Sequence, residues 1–170
     1  MADDALTPKP VSASRVETTE IVLPSHTNQL GNIFGGQLMA WIDVTAAIAA
    51  SRHARSVCVT ASIDALQFVA PIKLGQHVTL LASVNYTGRT SMEVGVRIDS
   101  ENPSTGERAH VATSYLTFVA IDERGVPCEV PPVYPETDAE KRRWQHAKTR
   151  RAARLALKRQ LFPSKKPPVE

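Results

Sequence analysis

The chain is poor in the residues that would tie it to a disulfide scaffold, a metal or a membrane. Only two cysteines, Cys58 and Cys128, stand among 170 residues. Two are too few for a disulfide framework, and free thiols fit a reducing compartment. The five histidines are scattered, and no spacing of Cys or His matches a metal site. No stretch approaches the ~18 consecutive apolar residues of a membrane span. The first 14 residues are polar and proline-containing, without the apolar centre of a secretory signal; they read as a disordered lead-in to a cytoplasmic protein. No internal repeat is present, and the length suits one domain.

Charge of one sign is scarce at the C-terminal end. Residues 136–170 hold 11 of the 20 Lys and Arg but 4 of the 17 acids. That segment carries +7 against −4 for the rest, which together make the net +3. The body of the chain is mildly acidic, and the positive balance belongs to an appendage.

Hydrophobic periodicity divides the remainder. Residues 15–23 alternate and read as a strand ended by Pro24; 25–33 form a loop. From Phe34 or Gly35 to about Arg52 the chain is Ala-rich and free of proline, which predicts one helix of about five turns ending in cations. Four strands follow, over 56–68, 77–86, 90–100 and 108–121, separated by Gly- and Pro-rich turns. Residues 127–135 are an extended Pro-rich connector. Residues from Glu136 to about Leu161 predict a second, basic helix. This order gives an α+β fold: a five-stranded antiparallel sheet curled around one long central helix, spanning 15–126, with a C-terminal extension over 127–170.

One carboxylate is out of place in that scheme. Asp43 lies within the apolar pattern of the first helix, where an unpaired acid is costly. Gly36, Ala40, Asp43, Ala47 and Ala50 form a stripe of small residues around it. Such a stripe lets another backbone, or a ligand, come close to the acid.

The residues around it resemble a known signature. The segment Pro24-Ser25-His26-Thr27-Asn28, Gly31-Asn32, Phe34-Gly35-Gly36 and Met39-Ala40-Trp41-Ile42-Asp43 is similar to that of hotdog-fold acyl-CoA thioesterases. The branch is that of the bacterial hydrolase YciA and the animal cytosolic (brain-type) acyl-CoA hydrolases. Phe68-Val69-Ala70-Pro71-Ile72, Gly88-Arg89-Thr90-Ser91-Met92-Glu93-Val94 and the end of the last strand extend the resemblance over roughly residues 15–125. It implies the hotdog fold, hydrolysis of acyl-CoA thioesters, and active sites shared between the two subunits of a dimer, commonly assembled as a trimer of dimers.

The chemistry follows from the residue types. Thioester hydrolysis needs no metal and no cofactor, only an oriented water, a base and donors for the oxyanion. Asp43 supplies the base, or attacks directly to give an anhydride. The N–H groups near Gly35 and Gly36 carry the positive end of the helix dipole. They lie about 10 Å along the helix from Asp43, so a single helix need not present both groups to one carbonyl; the resemblance implies a site that joins the loop and helix start of one subunit to the acid of the other. Asn28 either polarises the carbonyl or caps its own loop. His26 assists or is structural. Thr60 packs or lines the pocket, and Asp64 is a solvent-facing strand residue. Arg89, with the Thr90 and Ser91 hydroxyls, is placed to bind CoA phosphate. The basic helix carries no nucleic-acid recognition motif and reads as a solvated helix packing loosely on the domain. The competing function is a non-catalytic acyl-CoA sensor that uses this helix to touch a partner or nucleic acid. A hotdog dehydratase would need an Asp–His pair in a motif absent here.

Overall fold

A computed structural model describes residues 7–162. Its central element is α1 (Gly35–Ala54), 20 residues of Ala-rich helix ending where Arg55 takes a left-handed conformation, φ 56°. Five antiparallel strands wrap it: β2 (Val16–Ile21), β3 (Val57–Ile63), β4 (His77–Thr87), β5 (Ser91–Glu101) and β6 (Arg108–Ile121). Their order in the sheet is β2-β4-β5-β6-β3. This is the hotdog arrangement expected from the sequence.

The period-two pattern explains which face meets the helix. Leu80, Val84, Met92, Val94, Val96, Ile98, Leu116 and Phe118 are buried from the three central strands. They enclose Leu38, Ile42, Ala46, Ala49 and Ala50 of α1. The small residues of the helix thus divide. Ala46, Ala49 and Ala50 meet the curled sheet, while Gly36 and Ala40 stay exposed and Asp43 and Ala47 half-buried.

The sheet has two edges, and β3 is one of them. It pairs only with β6, with an irregularity between Thr60 and Ser62. The strand expected over 56–68 stops at Ile63. From Asp64 the chain leaves the sheet, although apolar residues continue.

The N-terminal expectation needs correction over residues 7–14. Lys9–Pro10 (β1) pairs in parallel with Val133–Tyr134 (β7). Val11 and Ser14 are buried. The Ser14 hydroxyl donates to the Val11 carbonyl at 2.8 Å and accepts the Val84 N–H at 2.9 Å, locking the segment to β4. Local composition reads as disordered because the partners lie some 70 to 120 residues away. Residues 1–6 of the expected lead-in, and Lys165 and Lys166 of the basic tail, lie outside the described residues.

The basic helix α2 (Asp138–Leu161) is not loosely attached. It crosses the face of the sheet opposite α1. Trp144 packs on Tyr86 with ring centroids 5.7 Å apart, Arg150 stacks 3.5 Å from the Tyr115 ring, and Ala147 is fully buried. Its start is held by a capping box, in which Glu140 N–H donates to Thr137 Oγ1 and Glu140 Oε2 accepts the Thr137 N–H. Glu140 is 2% exposed. Burial alone would raise its pKa, but the backbone N–H groups of Thr137 and Glu136 and the Arg15 guanidinium outweigh it, holding the carboxyl at about 2.

Candidate active site

Asp43 meets a second polar side chain at the open side of the molecule. Thr60 of β3 donates its hydroxyl to Asp43 Oδ1 at 2.7 Å. The contact joins the middle of α1 to the edge strand, 17 residues apart. Asp43 is half-buried and Thr60 exposed. No main-chain amide donates to the carboxylate among the described residues, so Oδ2 is left for other chemistry. The Thr60 contact was not foreseen. Alternation marked Thr60 as a pocket or packing residue, and only the curl of the sheet brings it to Asp43.

The start of α1 is bare. Phe34 occupies the N-cap position with no side-chain cap, and no acid stands in the first turn. The Gln37 and Leu38 N–H groups bond back to the Phe34 carbonyl. Those of Gly35 and Gly36 have no partner among the described residues. The contrast with the capped start of α2 is chemical: two aligned donors with the dipole behind them remain free for an oxyanion. Gly36 is required for a packing reason as well. A Cβ there would come 2.5 Å from Phe34 Cε1, so the ring lies over the glycine.

The preceding loop is built around Asn28. Its Oδ1 accepts the N–H groups of Leu30 and Asn32, at 2.9 and 3.3 Å, which is an Asx turn. Gly31 takes φ +71°, a left-handed conformation that suits glycine. The loop side of Asn28 is therefore structural, and its amide NH2 is the part left to face a ligand. His26 packs edge-on against Trp41, centroids 5.1 Å apart, and its Nδ1 accepts the Leu23 N–H at 3.2 Å. Both contacts are structural ones.

Arg89 lies in the β4–β5 turn with its side chain 80% exposed, 3.6 Å from a Glu129 carboxylate oxygen. Ser91 turns instead into a cavity of about 550 Å³ between the sheet and α2, which Asp64, Arg151 and Lys158 also line. Asp64 is not free in solvent as expected. It is half-buried and accepts from Arg154 at 2.6 Å. The same arginine, with Arg150, clasps Glu93, which is 3% exposed. The Glu93 pairing also escaped the sequence, although an acid between Met92 and Val94 in a strand was a visible signal.

Exposed apolar side chains surround the Asp43–Thr60 contact. Met39, Val44 and Ile48 of α1 are 42%, 60% and 38% exposed, and Val57, Val59 and Ile63 of β3 are exposed beside them. A band of this kind on two adjacent elements, one an unpaired sheet edge, marks an association surface. Asp43 and the α1 start lie about 10 Å apart along one helix axis, so one helix need not present both groups to one carbonyl.

Comparison with known proteins places this arrangement. The thioesterase superfamily model matches residues 30–107. The Bacillus subtilis protein described as uncharacterized acyl-CoA thioester hydrolase YkhA is 47% identical over 127 residues, covering 75% of this chain and 74% of the relative. The chain belongs to the thioesterase superfamily. Among solved thioesterases, an apo-hexameric acyl-CoA thioesterase superposes with a TM-score of 0.86 at 47% identity, covering 89% of this chain and 97% of the other. A Staphylococcus aureus acyl-CoA hydrolase, solved with butyryl coenzyme A, coenzyme A and coenzyme A disulfide, has a TM-score of 0.81 at 42% identity over 91% and 96%. Variants of that hydrolase carrying one aspartate, one asparagine or one threonine changed to alanine are also known. Some thioesterase relatives are longer: the chain spans 25% of the mouse acyl-coenzyme A thioesterase 11. The family model ends at the start of β6, but solved thioesterases cover 89% to 94% of this chain, so α2 is shared with them at least in part.

Proposed function

We propose that this protein hydrolyses acyl-CoA thioesters to the free acid and CoA, with Asp43 as the general base of a site shared between two subunits. The observation that carries the reading is the half-buried Asp43 held by the Thr60 hydroxyl, together with an α1 start whose amides are uncapped. Thr60 fixes one carboxylate oxygen, and the other takes a proton from water. That water adds to the thioester carbon, and the negative charge on its oxygen is met by the Gly35 and Gly36 N–H groups of the other subunit. Collapse of the tetrahedral intermediate breaks the carbon–sulfur bond, and the CoA sulfur leaves as a thiol with the proton returned. The Asn28 amide orients the substrate carbonyl or the water. The reaction uses no metal and no cofactor, because the thioester is already activated.

The apolar band and the open β3 edge support a dimer in which two α1 helices and two β3 strands meet. A trimer of such dimers is the assembly this reading favours, in line with the hexameric thioesterase that superposes on the chain. The cytoplasm is the fitting compartment. No described helix is long and apolar enough to cross a membrane.

Purified protein incubated with acyl-CoAs of several chain lengths and a thiol-reactive dye tests the reading. Thiol release that requires Asp43 is expected. Saturable acyl-CoA binding without thiol release would replace the hydrolase with the sensor.

A further inference from the structure

A hollow of about 680 Å³ lies between the outer face of the sheet and the first half of α2. Its floor is the middle of β4 and β5, and its wall carries Arg142, Arg143 and His146. It is not the cavity that reaches Ser91 beside the β4–β5 turn. That cavity is lined from α2 by Arg151, Leu155 and Lys158, and the two hollows share no residue. Residues 146 and 151 stand about 140° apart round the helix, so the hollows open on different flanks of α2. The candidate active site is on another layer again, at the Asp43–Thr60 contact between α1 and β3.

The lining is polar on one side and apolar on the other. Arg15 and Arg97 take part in it but are already paired, with Glu140 at 2.6 Å and Asp99 at 2.8 Å. Arg142, Arg143 and His146 have no acidic partner among the described residues. Glu17 is the acid that faces them. With histidine neutral, two unpaired guanidiniums against one carboxylate leave the hollow at +1. The floor adds an unmet donor. Asn85 is 2% exposed, and its Nδ2 is buried without a hydrogen-bond partner among the described residues. It rests on Gly95, where any Cβ would collide with that nitrogen. The glycine makes room for a buried amide that the described residues leave unsatisfied, a costly arrangement unless an acceptor is supplied. Beside these groups, Val16, Leu81 and the Tyr115 ring give the hollow an apolar wall.

We infer that this hollow binds a small monocarboxylate with an apolar body, its head between Arg142, Arg143 and the Asn85 amide and its body against Val16, Leu81 and Tyr115. An excess of one positive charge matches a monoanion and not a polyphosphate. A planar carboxylate takes guanidinium N–H groups in pairs and has oxygens to spare for an amide. The binding claim stands apart from the proposed function, and only the source of the acid depends on it. Under that function the acid released by hydrolysis is one such monoanion; an acid unconnected with turnover carries the same chemistry.

The probe is sodium hexanoate, titrated calorimetrically into the assembled full-length protein, into Arg142→Gln/Arg143→Gln and into Asn85→Ala. The glutamines remove both charges and keep the side-chain stems on α2. Circular dichroism and thermal melting confirm that the variants are folded. The expected result is saturable binding to the parent, a Kd raised about fivefold or more in each folded variant, and binding of hexanol about tenfold weaker or more. No binding to the parent overturns the inference. So does a Kd in the double variant equal to the parent's, the result if the acid occupies only the Asp43 site. Hexanol that binds as tightly as hexanoate, or inorganic phosphate that displaces hexanoate at equal concentration, overturns it too. Rates then identify the source. A change in acyl-CoA hydrolysis caused by hexanoate in the parent and lost in the double variant ties the site to the released acid. Rates unaffected by hexanoate, with the binding difference intact, assign the site to an acid from elsewhere. Because calorimetry reads binding without turnover, a protein that binds hexanoate in this way yet releases no thiol refutes the hydrolase reading and keeps the site.

Discussion

Changing Arg150 to alanine should loosen the C-terminal helix from the sheet. The side chain makes three contacts with Glu93, at 2.7, 3.2 and 3.3 Å, and stacks 3.5 Å from the Tyr115 ring. Its removal leaves the 3%-exposed Glu93 with Arg154 as its remaining partner. Hydrogen bonds to a charged group contribute about 1.5–3 kcal/mol, and a partly desolvated cation–π contact about 0.5–2. The expected loss is therefore roughly 2–5 kcal/mol. Because Arg154 stays, the loss should not exceed the about 3–5 kcal/mol typical of a fully broken buried pair. Arg151→Ala is the internal control: the same helix, the next residue, exposed and without an acidic partner. It should change stability by no more than about 0.5 kcal/mol. Urea unfolding at one fixed protomer concentration measures both, since association makes apparent stability concentration-dependent. Equal midpoints and slopes for the two variants would refute the reasoning, because the Glu93 contact would then contribute nothing to holding α2.

Asp43→Asn should leave fold and assembly intact and lower kcat at least ~100-fold, the lower range for a lost general base; unchanged turnover would remove Asp43 from the mechanism. Arg89→Ala should raise KM for CoA esters more than for pantetheine analogues lacking the nucleotide, and equal effects on both would exclude phosphate contact. Glu140 should make the fold acid-sensitive. Its folded pKa of about 2 lies below the ~4.3 of an unfolded glutamate, so its stabilisation is complete above that value and lost as pH falls toward 2. The shift corresponds to about 3 kcal/mol at neutral pH. Glu140→Gln should flatten the fall in urea midpoint between pH 5 and 2.5, and a parallel fall in both proteins would refute the assignment.

The elements with strong local patterns were legible in the sequence to within a residue or two. The strand over 108–121 was read at its observed bounds, and α1 starts where the glycine pair predicts. Errors came where distant parts of the chain decide. Residues 64–68 read as a continuation of the strand, but the ladder to β6 stops at Ile63, and beyond it only the Asp64 and Val69 N–H groups reach β6 carbonyls, those of Tyr115 and Val111. Residues 7–14 look disordered because their partners, Val84 and the 133–134 strand, are far along the chain. The candidate site stands out in the sequence only in part. Asp43, Gly35, Gly36 and Asn28 announce themselves by being out of place in their local pattern. Thr60 and the Glu93 clasp do not, because each owes its role to a contact formed only when sheet and helices come together.

The parallel pairing of β1 with β7 joins two short segments separated by more than a hundred residues of chain. Closing so long a loop before the intervening strands exist gains almost nothing, so the clasp has to shut late. A growing polypeptide would carry a finished sheet whose outer side is still wet, with the Glu93 carboxylate bathed in solvent, until residues 138–161 emerge. Because α2 follows every strand of the five-stranded sheet along the chain, it can seat only after them, and a ribosome stalled before it would leave a half-clothed domain.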